Sequence, residues 1–226
     1  MCGRFVQTST AERLAVRFDA VDTTAGRLEP RHNVAPSTPV PALIRSDSRR
    51  LGMLRWGFVP SWTRDPDSGP RPINARSEGA ADSRLFGPAL ARRRCVVPID
   101  AWYEWSDEDG ARQPWLLRPV SEGPVSVAAL WSTWRAADSA PDAAPLATVA
   151  LLTTAARGHA ATVHDRMPLT VPDALLDDWL DASAHEGPAL LDALRASVPD
   201  VTVTRVSRRV NDVRNDDPAL LVAVEA

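Results

Sequence analysis

The sequence predicts an α+β fold: one domain over residues 1–226, with a largely antiparallel, barrel-like β core and peripheral helices. Two observations lead there. Short apolar runs rich in Val, Leu, Trp and Thr recur along the chain between Pro, Gly, Asp and Ser, the pattern of strands and their turns. Helical periodicity is confined to brief segments, and no repeat, low-complexity tract or linker divides a chain long enough for one sizeable core.

The elements follow in order. Ser9 or Thr10 can cap a short helix through AERLAVRFD, with Leu14 and Phe18 on its apolar face. EPRHNVAPSTPVPALIR is punctuated by proline and enters a strand near 40–45. LGMLRWGFVPSW reads as a strand carrying aromatic residues into a loop, and TRDPDSGPRP as that surface loop. ARSEGAADSRLFGPALARR has a helical pattern interrupted by Gly87-Pro88. CVVPIDAWYEW, PWLLRPV, VSVAALWSTW and LATVALLTT read as strands. After HDRMP, PDALLDDWLD places proline at a helix start, GPALLDALRAS makes a second short helix, and VTVTRV a last strand.

Composition narrows the function. A hydrophobic content of 44% and a charged content of 24% are ordinary for a soluble protein. No apolar run approaches the roughly 20 residues that span a bilayer. MCGRFVQTST lacks the basic and apolar regions of a secretory signal, and two cysteines make no disulfide framework. A cytoplasmic protein with reduced thiols is expected. All 26 basic residues are arginine, so no side-chain amine exists to form a Schiff base; the only amine is the N-terminal one. Residues 1–94 hold 16 Arg against 9 acidic residues, whereas residues 95–226 hold 10 Arg against 20. The net charge of −3 therefore hides a basic half, and a local arginine-rich face is what phosphate contact needs.

Four stretches combine reactive groups with turn residues. In MCGRF, removal of Met1 would leave Cys2 with an α-amine and a thiol on adjacent carbons, both partly unprotonated near pH 7. PINARSE offers Asn74, Arg76 and Glu78; CVVPIDAWYEW offers Glu104; HDRMP offers His164, Asp165 and Arg166. Each has a plain structural alternative. Asn74 could cap a following helix, Glu104 could alternate out to solvent, and His164 could sit in a surface turn. Aromatic neighbours could instead desolvate Glu104 and raise its pKa into the range useful for proton transfer. Cys95 opens an apolar strand and reads as core. Trp56, Phe58 and Trp62 lie beside arginines, the pairing that grips single-stranded nucleic acid, although core packing competes for at least one ring. HExxH and CxxC spacings are absent, so neither a metal nor another cofactor is expected.

MCGRF, NVAP, RWGFVPSW, PINAR, CVVPIDAWYEW, TVHDRMP and VSRRVNDVRN occur in that order across residues 2–215. Together they resemble the SRAP family, the abasic-site-processing proteins also called SOS-response-associated peptidases. The resemblance implies covalent capture of abasic sites in single-stranded DNA, including sites near single/double-strand junctions. Capture would proceed through a Schiff base at Cys2 that the thiol closes to a thiazolidine, shielding the site from strand cleavage. It assigns Glu104 as acid/base carboxylate, His164 as proton shuttle and Asn74 as the residue positioning cysteine and sugar. Arg4, Arg76 and Arg166 resemble the phosphate contacts, with Trp62 and Phe86 as further DNA contacts. A monomer that becomes nucleoid-associated on binding DNA is implied, together with self-removal of Met1 and reversal of the crosslink. One departure stands out: Thr63 occupies a position where the family often has a second Trp, which puts one base-stacking contact in doubt. Two other readings remain. Class II glutamine amidotransferases also begin MCG, though their Asn-Gly oxyanion loop has no counterpart here. A non-catalytic single-strand-binding module would bind DNA without a covalent product.

Overall fold

The computed structural model describes residues 2–69, 71–140, 142–181, 187–197 and 199–225. Its strands are β1 (Phe5–Gln7), β2 (Val21–Asp22), β3 (Arg31–Val34), β4 (Pro39–Arg45), β5 (Arg49–Trp56), β6 (Asn74–Arg76) and β7 (Arg94–Ile99). They continue as β8 (Ala101–Glu108), β9 (Ala111–Pro119), β10 (Val125–Trp134), β11 (Leu146–Ala155), β12 (Arg166–Pro168) and β13 (Val201–Arg205). The helices are α1 (Ala11–Phe18), α2 (Gly87–Arg92), α3 (Leu176–Leu180) and α4 (Gly187–Ala196).

Five strands close a mixed barrel in the order β11-β10-β7-β4-β5. Four of its pairings are antiparallel. The fifth is a short parallel one, Arg55 with Thr148 and Trp56 with Val149, which closes the ring. A second sheet, β13-β9-β8-β1-β3, is antiparallel throughout.

Side-chain alternation explains why the barrel strands bury apolar residues of both parities. One parity (Ala42, Trp56, Val97, Ala129, Leu151) packs with Cys2 and with Phe5, Trp102 and Leu117 from the second sheet. The other (Leu43, Leu51, Val96, Ala128, Ala150) packs with α1 to α4 through Leu14, Phe18, Leu90, Trp179 and Leu191. Thr10 caps α1 by accepting from the Arg13 N–H, as its sequence suggested. Trp56 anchors the first cluster: it is fully buried, packs at 5.1 Å from the Phe5 ring, and donates from Nε1 to the Ile73 carbonyl at 2.9 Å. Trp56→Ala is expected to cost about 3–5 kcal/mol, read as a lowered midpoint in denaturant unfolding.

Two expectations need correction. Gly87-Pro88 does not interrupt a helix but begins one, with proline in the first turn of α2. A Cβ on Gly87 would meet the Ala81 carbonyl oxygen at 2.8 Å, so the chain approaches itself there too closely for any larger residue. CVVPIDAWYEW is not one strand either. It breaks at Asp100, where β7 leaves the barrel and β8 enters the second sheet. The Asp100 carboxylate accepts from the N–H groups of Thr8 (2.5 Å) and Ser9 (3.0 Å) and from both their hydroxyls, fixing the corner.

A third feature joins the chain's two ends. Fully buried Asn33, from NVAP, donates from Nδ2 to the carbonyls of Val210, Asp212 and Asn215 at 3.2, 3.3 and 2.8 Å. Its Oδ1 accepts from Arg4 at 2.8 Å. The Asp216 carboxylate accepts from the backbone of His32 and Asn33 at 2.5 and 2.9 Å and pairs with Arg31. NVAP and VSRRVNDVRN are thus two halves of one stitch.

Candidate active site

The stitch delivers both termini to one cleft of about 490 Å³, lined by Gly3, Arg4, Glu104, Trp105, Arg112, His164 and Asn211. Cys2, next to Gly3 in the chain, belongs to the core cluster and is fully buried, with Sγ 4.0 Å from the Arg4 carbonyl oxygen. Asn74 opens β6, which pairs with β11, and donates from Nδ2 to the Cys2 carbonyl at 2.7 Å. It caps no helix. Met1 lies outside the described residues.

Glu104 lies on β8 opposite Trp115 and is 1% exposed, so it does not alternate out to solvent. Burial pushes its carboxyl up to about 7, the range in which a group can both give and take a proton. His164 Nε2 lies 4.0 Å from Glu104 Oε2. Burial holds the His164 pKa below its usual value, so the ring is neutral near pH 7. Its Nδ1 accepts from the Arg166 N–H at 2.9 Å, and Nε2 is the nitrogen on the Glu104 side. The Asp165 carboxylate, 2.8 Å from Nδ1, gains a partner when the ring protonates. Burial drives the Cys2 thiol far above its ordinary range, and the nearby Glu104 charge adds to that rise. The thiol is therefore protonated until a base removes its proton.

The remaining expected residues divide. Arg4 lines the cleft, donating to Asn33 and to the Val210 carbonyl at 2.9 Å. Arg76 ends β6 and is exposed. Arg166 is engaged: its side chain is 11% exposed and forms a two-pronged pair with Glu78, each N–O distance 2.8 Å, plus a bond to the Thr153 carbonyl. That fork pulls the Glu78 carboxyl down to about 2 and ties PINARSE to HDRMP. Trp62 is 74% exposed, whereas Trp56 and Phe58 belong to the core. Phe86 is half-buried, its ring at 61° to Phe58 and 5.3 Å away. Trp62 stands between two grooves, one with Phe58, Arg93 and Trp131, the other with Pro66, Arg71 and Arg84. Neither groove shares a lining residue with the cleft at Glu104. At Thr63 the backbone carbonyl accepts from Trp134 Nε1 at 2.5 Å, so an indole from β10 approaches that position.

Sequence reasoning missed Trp105, Arg112 and Asn211 as cleft residues. Trp105 reads only as a neighbour of Glu104 and Asn211 only as part of VSRRVNDVRN, while Arg112 lies in a hairpin with no local signal. Among the described residues no group of three His, Cys, Asp or Glu side chains could hold a metal ion. No helix among them is long and apolar enough to cross a membrane.

A family model described as SOS response associated peptidase (SRAP) matches residues 1–213, and the chain belongs to that family. Its curated relatives are named abasic site processing proteins. The chain is 32% identical over 226 residues to YoqW of Bacillus subtilis (strain 168), covering 98% of this chain and 99% of that one. It is likewise 32% identical over 232 residues to YedK of Escherichia coli (strain K12), covering 99% and 100%. HMCES of Gallus gallus matches at 30% identity over 88% of this chain and 68% of its own length. A solved structure of a protein from Bacteroides thetaiotaomicron superposes with a TM-score of 0.82 at 19% identity, covering 99% of this chain and all of that one. That likeness concerns the fold.

Proposed function

We propose that this chain processes abasic sites in single-stranded DNA by capturing the ring-opened sugar at Cys2. The observation that carries the reading is the placement of Asn74 on the Cys2 carbonyl while the Glu104–His164 pair lines the cleft beside Gly3 and Arg4. The names of the relatives support abasic sites as the target.

Once Met1 is removed, by an aminopeptidase or by the chain itself, the Cys2 amine attacks the sugar aldehyde. That aldehyde forms as the C1 hydroxyl gives up its proton and the ring oxygen takes one; after the attack, protonated Glu104 donates its proton to the carbinolamine hydroxyl, which leaves as water and leaves a protonated Schiff base. The resulting carboxylate takes the Sγ proton, and the thiolate adds to the imine carbon to close a five-membered thiazolidine. The net change is loss of one water. Closure is intramolecular, which gives it an effective concentration of about 10⁵–10⁸ M in favourable geometries. His164 serves the sugar oxygen and, in the reverse direction, helps release the crosslink. The thiazolidine has no imine left to drive strand cleavage.

The test is a denaturing gel: mature protein mixed with a uracil-glycosylase-treated single strand forms a retained, shifted band, and an intact strand does not. Ammonia release from glutamine with no shifted band would instead support the amidotransferase reading. Noncovalent binding is expected to rest on arginines despite the net charge of −3. Arg76→Ala should make the dependence of log affinity on log salt shallower by about 0.7, one phosphate's share, and weaken all base sequences alike. Titrations at several salt concentrations check it, and an unchanged slope would remove Arg76 from the interface.

A further inference from the structure

The cleft holds a second arginine that none of the motifs emphasises. Arg112 stands just past the β8–β9 turn, where Asp109 and Gly110 take positive φ (52° and 77°), and is exposed. Its guanidinium carbon lies 5.3 Å from the Trp105 ring centroid, and that of Arg4 lies 5.7 Å from the same ring. Both distances are within cation–π range. The ring is itself fixed: Trp105 Nε1 donates to Asn211 Oδ1 at 2.7 Å, and Asn211 Nδ2 donates to the Arg112 carbonyl at 3.1 Å. Two guanidiniums, one indole and one amide therefore form a braced unit on the wall of the cleft that holds Glu104 and His164.

Neither guanidinium of this unit is in a direct ion pair, although the Asp212 charge acts on Arg4 and the Glu104 charge lies near Arg112. Arg166, Arg205 and Arg214 pair with Glu78, Glu108 and Asp212. Among the described residues, no carboxylate oxygen lies within 4.0 Å of Arg4 or Arg112. The buried Nε–H of Arg4 has no hydrogen-bond partner there either. Two cations held against one ring repel each other; burial loosens the Arg4 guanidinium's hold on its proton, and the Arg112 charge adds to that. An anion bridging them would relieve that repulsion and use the free donors in the fork geometry that suits phosphate.

We propose that Arg4 and Arg112, braced by Trp105 and Asn211, form a subsite for one phosphate group attached to the captured sugar. This deepens the proposed function by naming what holds the sugar against Glu104 and His164. It implicates a residue, Arg112, to which no role had been given.

The test is noncovalent. A fluorescent single strand carrying a tetrahydrofuran abasic analogue has no aldehyde, so its binding requires no reaction at Cys2. Anisotropy titrations across salt should give a slope for Arg112→Ala shallower than wild type by about 0.7. Over a fourfold rise in salt the variant would then lose about 2.5-fold less affinity than wild type. Arg112→Lys keeps the charge and should keep the slope, as should Arg13→Ala on the exposed face of α1. A wild-type slope in Arg112→Ala, with an unchanged melting temperature, overturns the proposal. Competition by 2-deoxyribose 5-phosphate, but not by 2-deoxyribose, supports a subsite open to a lone phosphate. Competition by neither, with the slope change intact, assigns it to a phosphodiester within a strand. If the slope changes but wild type never crosslinks to an aldehyde-bearing strand, the capture reading falls while the subsite stands.

Discussion

Cys2→Ala is expected to abolish the denaturant-stable adduct with abasic single-stranded DNA, the largest single effect any substitution should have. The chain contains no lysine, so no side-chain amine can take over, and only the terminal residue places an amine beside a thiol. Alanine keeps the amine and can form an imine, but nothing closes it. Cys2→Ser should leave a weaker species, a reducible imine or an oxazolidine, trapped by borohydride and lost without it. Retention of Met1 should disable the protein as fully as loss of the thiol, because the amine then sits one residue away. Mass spectrometry of the terminus alongside the gel checks both. Equal crosslinking by Cys2→Ala and wild type would end the mechanism. Because Cys2 packs in the core cluster with Phe5 and Trp56, a circular dichroism spectrum should accompany the variant.

The second large effect concerns Glu104. General acid–base groups contribute typically about 10²–10⁴-fold, and Glu104→Gln should slow single-turnover capture by that order with little change in DNA affinity. The wild-type rate should follow a bell against pH. It rises as the Cys2 amine loses its proton and falls as Glu104, near 7, ionises. Glu104→Gln should lose the alkaline limb. His164→Ala should act mainly on release of the crosslink. Stability carries an independent signature. The folded Glu104 pKa of about 7 lies above the ordinary unfolded value near 4.3, so the native state binds the extra proton between them. Wild type should therefore lose stability as pH rises from about 4 to about 7, and Glu104→Gln should lose less across that window. A flat difference in Tm over that range, together with unchanged rates, would make Glu104 a structural residue.

The sequence foretold the kind of fold more fully than its closure. Alternation and turn residues located most strands, and Thr10 located α1, because both signals are local. The pairing of β5 with β11 joins residues about ninety positions apart and has no local mark. Asp100 looked like one polar residue in an apolar run; its role as a corner depends on Thr8 and Ser9, which only the fold brings to it. The site shows the same division. Cys2, Asn74, Glu104 and His164 sit in recognisable motifs, and the structure brings Asn74 to Cys2 and His164 to Glu104. Arg166 was legible as a cation but not as one already held by Glu78. Arg112 and Asn211 were illegible as cleft residues, since nothing in ARQP or VNDV says that a hairpin and a tail meet over Trp105.

The stitch between Asn33 and residues 210–216 ties the cleft to the order in which the chain is made. Cys2 leaves the ribosome first, and Asn211 and Asp216 are added only some two hundred residues later. At about 5–20 residues per second, that interval is roughly ten to forty seconds. On the proposed capture chemistry, the aminothiol then exists throughout it without the wall that aligns it, open to any stray aldehyde. Selectivity would be acquired only once residues 210–216 have been made. A chain cut short before Asn211 would carry the proposed nucleophile and lack the discrimination.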